Sequence, residues 1–119
     1  MEMKIVRNRG SWYGKINGKD QELPIGHSTC VDWANKRYVD RGCREPKGTP
    51  VDPKWLRWID AVRTAGCMII QETKVGPDKG ADGYPMNHCV GYIGAFFVDN
   101  VQLDENRVFS CDIVRRRTV

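Results

Sequence analysis

Two short apolar runs in the third quarter of the chain mark the predicted centre of the fold. Residues 67–73 and 90–98 are rich in strand-favouring side chains, and a segment with several glycines and prolines, 76–85, separates them. Residues 90–98 carry apolar side chains at odd and even positions alike, which is typical of a strand buried on both faces. We predict that this strand lies in the middle of a sheet, with 76–85 as a mobile loop.

The N-terminal quarter has the pattern of short strands. Residues 4–8 form a first predicted strand, and residues 12–16 and 19–23 flank Asn17-Gly18. That dipeptide is a strong hairpin signal because both residues tolerate positive φ. Pro24 is expected to end the second arm.

Two helices are predicted between the hairpin and the central strands. Ser28 or Thr29 caps a first helix running to about Arg41, with Gly42 as its stop. Its apolar positions recur at i, i+4 spacing: Cys30, Val31, Ala34 and Tyr38. Asp52-Pro53 starts a second helix that Gly66 ends. The apolar stripe of that helix is Trp55, Trp58, Ile59, Val62 and Ala65.

The C-terminal residues predict a turn and a last hairpin. Asp99-Asn100 is expected to turn the chain, and residues 101–103 and 107–114 then pair around 104–106. Apolar side chains alternate inward in the final strand, at Phe109, Cys111 and Ile113. Strands, two helices and strands again indicate an α+β fold. We expect one domain over 1–119, built as a curved mixed or antiparallel sheet with two helices packed on it.

Composition restricts the classes of protein to which the chain can belong. It has 119 residues, a formal charge of +4, and no apolar run near the length of a membrane span. The N-terminus has no apolar signal core, so we expect a cytoplasmic protein without a membrane partner. Five cysteines in such a chain favour reduced thiols.

Cysteine and histidine positions do not assemble a convincing chemical site. A structural zinc ion or a Cys–His pair would draw on His27, Cys30, Cys43, His88 and Cys89. The chain has no CxxC pair, and whether these side chains converge is a spatial matter that spacing leaves open. We therefore predict no metal, no cofactor and no catalytic residue.

Aromatic and basic residues give the stronger functional indication. On the predicted first helix, Trp33 lies off the apolar stripe beside Lys36 and Arg37. An aromatic ring beside cations can stack a nucleobase. The alternative, a Trp33 packed under the hairpin or covered by Arg37 through a cation–π contact, is the simpler explanation. Trp12 and Tyr13 are neighbours in a strand, so one of them should be the more exposed.

Polar residues follow the first buried run and lead into the predicted loop. The segment Gln71-Glu72-Thr73-Lys74 is placed to line a pocket, with Glu72 and Lys74 as candidate binding residues. Tyr84 on the loop could close over a ligand. The alternative is an ordinary passage from strand to solvent.

The segment Gly91-Tyr-Ile-Gly-Ala-Phe-Phe-Val98-Asp99-Asn100-Val101, preceded by a strand with a polar end, resembles the central strands of PUA-like domains, including the EVE and ASCH branches. The resemblance spans roughly residues 66–115. It implies a small, partly closed barrel and nucleic-acid binding, often with an unpaired or modified base held in a pocket. No functional residue is carried over from it.

Together these observations predict a non-enzymatic module that binds RNA or DNA. Positive charge is dense between residues 36 and 63, at Lys36, Arg37, Arg41, Arg44, Lys47, Lys54, Arg57 and Arg63. Residues 115–117 add a basic segment. The alternative is a small-ligand or protein-interaction domain, with a homodimer as one form that it could take.

Overall fold

The computed structural model describes residues 4–7, 12–18, 21–41, 50–79, 83 and 85–118. Within them the chain forms eight strands, a short 3₁₀ turn at Ser28–Cys30 and one α-helix. The strands are β1 (Ile5–Arg7), β2 (Tyr13–Ile16), β3 (Leu23–His27), β4 (Val31–Asp32), β5 (Arg37–Asp40), β6 (Cys67–Lys79), β7 (Pro85–Leu103) and β8 (Phe109–Arg116). The helix α1 is Pro53–Ala65.

All eight strands belong to one mixed sheet in the order β1-β2-β3-β6-β7-β8-β5-β4. Only the β3–β6 pair is parallel within the described residues, and the other pairs are antiparallel. The predicted interior position of residues 90–98 is confirmed, since β7 lies between β6 and β8. The α+β class is broadly confirmed, but the prediction of two helices is wrong.

Strands β6 and β7 are buried on both faces where they pair most closely. The larger core covers one face and includes α1, β5 and β8, with Met68, Ile70, Phe96 and Val98 from the central pair. The smaller core covers the other face, where β2 and β3 bring Ile16, Leu23 and Ile25 against Cys67, Ile69 and Ala95. A core on each face thus explains the two-sided pattern over residues 94–98, whereas Val90, expected to be buried, is 52% exposed.

Local signals fix both ends of α1, as predicted. The Asp52 side chain accepts a hydrogen bond from Lys54 N at 2.9 Å, Pro53 opens the helix, and Gly66 closes it with φ 60°. Trp58 is buried, and its Nε1 donates to the Ile25 carbonyl at 3.1 Å. This bond ties the helix to β3.

The predicted helix from Ser28 or Thr29 to Arg41 is wrong. The chain instead forms the 3₁₀ turn and then the β4–β5 hairpin. Asp32 accepts hydrogen bonds from Asn35 N at 3.1 Å and Asn35 Nδ2 at 2.7 Å, and Lys36 has φ 52°, so the side chains build a turn. Pairing of β5 with β8 then selects a strand over the helix that the i, i+4 spacing suggested. Gly42 lies outside the described residues.

Three predicted boundaries of strands and turns differ in the structure because of the way the strands pair. Pairing of Tyr13 with Pro24 puts Pro24 inside β3, so Asn17-Gly18, at φ 54° and 69°, belongs to a longer connection. The predicted turn at Asp99-Asn100 is an irregularity within β7, where Asn100 has φ 54°. Residues 76–79 continue β6, so the predicted loop is shorter than 76–85.

One tyrosine shows how strongly the sheet curves. Tyr38 of β5 is fully buried, and its hydroxyl accepts a hydrogen bond from His27 N at 3.1 Å. His27 ends β3, which is four strands away from β5 in the sheet order. The ring also contacts Trp58 and Phe109, with centroids 6.5 and 5.9 Å away. The sheet must therefore curl until β5 approaches the end of β3, which confirms the predicted curvature.

Replacing Tyr38 with phenylalanine should weaken this closure. Tyr38→Phe leaves His27 N without its acceptor in the interior, which costs about 1–3 kcal/mol of unfolding free energy. Urea denaturation measures the change. The matched control is Tyr92→Phe, a half-buried tyrosine, which should change stability by less than about 0.5 kcal/mol. Equal losses in the two variants would contradict the bridging role of Tyr38.

Candidate functional site

Trp33 lies in the turn between β4 and β5 and is 46% exposed. Its ring packs against Phe96 of β7, with centroids 5.4 Å apart and an interplanar angle of 53°. The turn is held to β8 because Ile113 N donates to the Lys36 carbonyl at 2.8 Å. Trp33 is thus fixed at one side while much of the indole faces solvent.

Arg116 lies over the same phenylalanine. Its guanidinium is 4.8 Å from the Phe96 centroid, and Nη1 donates to the Ile93 carbonyl at 2.6 Å. Gly94 makes room for it, because a Cβ at that position would collide with Nη1. A buried phenylalanine therefore has an exposed indole and an exposed guanidinium packed on it. We call Trp33, Phe96 and Arg116 the Trp33–Arg116 surface.

The neighbouring arginines are also seated on the sheet. Arg115 lies over the ring of Phe97, 4.6 Å from its centroid. Arg117 N donates to the Ala95 carbonyl at 2.8 Å. Since β8 extends to Arg116, the predicted basic segment 115–117 is largely strand, and its backbone holds the three cations in place.

Arg37, the predicted cationic partner of Trp33, is paired with another residue. Arg37 forms an ion pair with Asp112 of β8, with Nη1 and Oδ1 3.2 Å apart, so its charge is partly compensated. Lys36 and Arg41 are exposed beside the two ends of β5. Sequence reasoning named Trp33 but paired it with Arg37. It named Arg116 only as part of the basic segment 115–117 and did not place it beside Trp33.

The structure also places the other predicted binding residues. Trp12 is exposed, whereas Tyr13 is less exposed and packs against the larger core, as expected for neighbours in an extended segment. Glu72 and Lys74 point outward from β6. Besides Gly42, four residues named above lie outside the described part of the chain: Cys43, Arg44, Lys47 and Tyr84.

The inward positions of the same polar segment form a cluster that sequence reasoning did not single out. Gln71 and Thr73 are only 3% and 6% exposed. Gln71 Nε2 is 2.8 Å from His27 Nδ1, and Thr73 Oγ1 is 3.3 Å from the same nitrogen. Arg7 Nη1 donates to Gln71 Oε1 at 2.9 Å. We call these four residues the His27 cluster. The period-2 alternation after Ile69 could have indicated Gln71 and Thr73.

Burial is the largest cause of the pKa shifts at His27, Cys30 and Cys111. It lowers the pKa of His27; nearby Asp40 opposes this shift and the Arg7 charge adds to it. Burial also raises the pKa of Cys30, which is hydrogen-bonded to Tyr38. The pKa of the Cys111 thiol is raised to about 12, again by burial first. Cys30 and Cys111 therefore stay protonated near neutral pH and are poor nucleophiles.

Potential metal ligands do not gather in the described residues. No three His, Cys, Asp or Glu side chains there lie close enough to hold an ion. His88 and Cys89 are exposed on β7, and the Cys89 thiol contacts the Gly91 carbonyl at 3.4 Å. No helix among the described residues has the length and apolar character needed to span a membrane.

Comparison with known proteins adds no assignment. No family model matches the chain, and no curated protein or solved structure matches it either. The PUA-like resemblance, nucleic-acid binding and the homodimer alternative stay predictions. The functional proposals below therefore depend on the geometry of the Trp33–Arg116 surface and the His27 cluster.

The lowered pKa of His27 predicts a loss of stability in mild acid. Unfolding returns the imidazole to its ordinary pKa of 6.5, so below that value the unfolded state binds the proton more readily. The free energy of unfolding should fall as pH drops through 6.5 toward the lower folded value. Urea midpoints across this range measure the effect.

The second histidine provides the matched control. His27→Gln should flatten the pH dependence, whereas His88→Gln, at an exposed position, should leave it as in the wild type. A profile that changes only in His88→Gln would show that the inference about His27 is incorrect.

Proposed function

We propose that this protein is a nucleic-acid-binding module that stacks an unpaired base on the Trp33–Arg116 surface. The supporting observation is an exposed indole beside an exposed guanidinium, both held on Phe96. Single-stranded nucleic acid is bound by this combination of an aromatic face for the base and a cation for the backbone. Because both groups are already positioned, little side-chain entropy is lost on binding.

The charge around this surface supports the same proposal. Lys36 lies in the turn that carries Trp33 and is exposed. Arg115 lies over Phe97, on the opposite face of the sheet from Arg116, and is not counted here. The chain has a formal net charge of +4. Phosphates neutralised by these side chains release counterions, so binding should be strongly salt-dependent. Arg37 contributes less, since Asp112 already compensates it.

A PUA-like arrangement is part of the proposal. The strongly curved sheet, the contact between β5 and the end of β3, and a helix packed over one face are compatible with a small, partly closed barrel. Buried free thiols at Cys67 and Cys111 support a cytoplasmic location.

Removal of the indole should weaken binding to single-stranded RNA or DNA. Trp33→Ala is expected to cost about 1–3 kcal/mol, the worth of one stacked base, with little change in the salt slope. Arg116→Ala should instead reduce the slope of log K against log salt by about 0.7, because one phosphate contact is lost. Fluorescence anisotropy with a labelled oligonucleotide, titrated with salt, measures both quantities.

Lys79→Ala is the matched control for charge. Lys79 ends β6, at 79 − 68 = 11 positions from Met68, the register partner of Phe96. At ~3.3 Å per residue, that places it roughly 35 Å from the surface, so affinity should not change. Trp12→Ala tests the other exposed indole. A wild-type protein that binds no oligonucleotide at ~50 mM salt would refute the proposal, and an unchanged Trp33→Ala would refute the stacking role.

A further inference from the structure

The His27 cluster is a chain of hydrogen bonds with a fixed direction. Arg7 can only donate, so at 2.9 Å it takes the carbonyl oxygen Oε1 of Gln71. The amide nitrogen Nε2 of Gln71 is then turned toward His27 Nδ1 at 2.8 Å. Since the amide nitrogen of Gln71 donates, His27 Nδ1 must accept. The neutral imidazole of His27 therefore carries its proton on its other ring nitrogen, His27 Nε2.

The opposite tautomer would be unfavourable at two places. A proton on Nδ1 would face the N–H of Gln71 across 2.8 Å. Turning the amide over to relieve this would put its NH₂ group against the Arg7 guanidinium at 2.9 Å. Thr73 Oγ1, 3.3 Å from Nδ1 and 3.5 Å from the Gln71 carbonyl, can donate or accept and so fits either tautomer. The hydrogen bonds from Arg7 through Gln71 are therefore what make Nδ1 an acceptor.

The proton on Nε2 has no partner within the described part of the chain. Both hydrogen-bond contacts of the His27 ring with these residues use Nδ1. Across the same residues no fully buried side-chain nitrogen or oxygen lacks a hydrogen-bond partner. Nε2 must therefore lie where solvent or a ligand reaches it. The protein buries a glutamine to present one N–H donor at an accessible position.

The charges around the ring restrict what this donor could bind. Asp40 raises the pKa of His27 and Arg7 lowers it, so charges of both signs act on the ring. Tyr92, the register partner of Gln71 on β7, is half-buried and also near the Arg7 charge. An uncharged group with an acceptor oxygen suits a neutral N–H donor between opposite charges, and the tyrosine provides an adjacent aromatic side chain.

We propose that the His27 cluster is a binding site for an uncharged ligand with a carbonyl acceptor, to which His27 donates its Nε2–H. Arg7 and Gln71 are positioning residues that hold this tautomer. The site does not depend on nucleic-acid binding at Trp33. Gln71 follows Ile69 on the face of β6 that carries the smaller core, whereas Phe96 belongs to the larger core.

The test is imidazole ¹⁵N NMR on the full chain at about pH 8, above the ordinary histidine pKa. The two histidines are assigned with His88→Gln, and His88 is the internal reference. The wild type should show His27 with Nε2 protonated. Nicotinamide, an uncharged aromatic amide, should shift the His27 Nε2 resonance to saturation. Inorganic phosphate should not shift it.

Gln71→Glu is the discriminating variant because it is nearly isosteric and accepts at both oxygens. The carboxylate keeps Arg7 but now requires His27 Nδ1 to donate, so the tautomer should reverse. Nicotinamide affinity should fall about tenfold, the worth of one lost hydrogen bond. If Gln71 does not set the tautomer of His27, the Gln71→Glu variant should keep the His27 proton on Nε2.

Several results would overturn the proposal. They are an Nδ1-protonated or averaged imidazole in the wild type, an Nε2 resonance that nicotinamide does not move, a stronger response to phosphate, or full nicotinamide affinity in Gln71→Glu. Gln71→Met, which removes both polar atoms of the amide, should give a mixture of tautomers. A single Nε2–H form in that variant would also overturn the positioning role of Gln71.

Discussion

The hydroxyl of Tyr38 joins two strands that lie four places apart in the sheet, and much of the structure depends on that bond. An open eight-stranded sheet would leave β5 far from β3. Because the tyrosine is fully buried and its hydroxyl takes the backbone N–H of His27, the sheet has to curl around the larger core. A buried hydroxyl without a partner would be costly, so the curvature and the hydrogen bond support each other. Burial also raises the pKa of Tyr38 well above 10, which keeps the hydroxyl neutral.

The same bond positions both candidate sites. On the β5 side it anchors the hairpin whose turn carries Trp33, and pairing of β5 with β8 brings that turn toward Arg116. On the β3 side it fixes the backbone of His27, whose ring then meets Gln71 across the parallel β3–β6 pair. One buried aromatic residue therefore determines the position of an exposed indole on one side and of an oriented imidazole on the other.

The sequence predicts those elements whose signals are local. Asp52-Pro53 and Gly66 bound α1 because capping needs only neighbouring residues, and the two-sided pattern of residues 90–98 predicts an interior strand. The helix predicted over residues 28–41 is wrong because two kinds of signal compete there. Cys30, Ala34 and Tyr38 match helical spacing, but β5 becomes a strand by pairing with the distant β8. Contacts that build the sites are equally non-local: His27 and Gln71 are 44 positions apart. A single sequence does not show which distant residues pair. Trp33 was therefore predicted without its contact to Arg116. For the same reason, the outward Glu72 and Lys74 were predicted as binding residues instead of Gln71 and Thr73.

The Trp33–Arg116 surface and the His27 cluster differ in how much stability the fold gives up to form them. Trp33 and Arg116 rest on Phe96 at the border of a core that exists without them, so their arrangement costs the fold little. The His27 cluster places a glutamine and a threonine in the interior, where each polar atom needs a partner, beside a half-buried imidazole. An apolar side chain at position 71 would fill the same space without that requirement, and buried polar networks of this kind are often less stabilising than apolar packing. Stability alone therefore does not account for Gln71. The directed hydrogen bonds from Arg7 to His27 are better explained by the donor that they present.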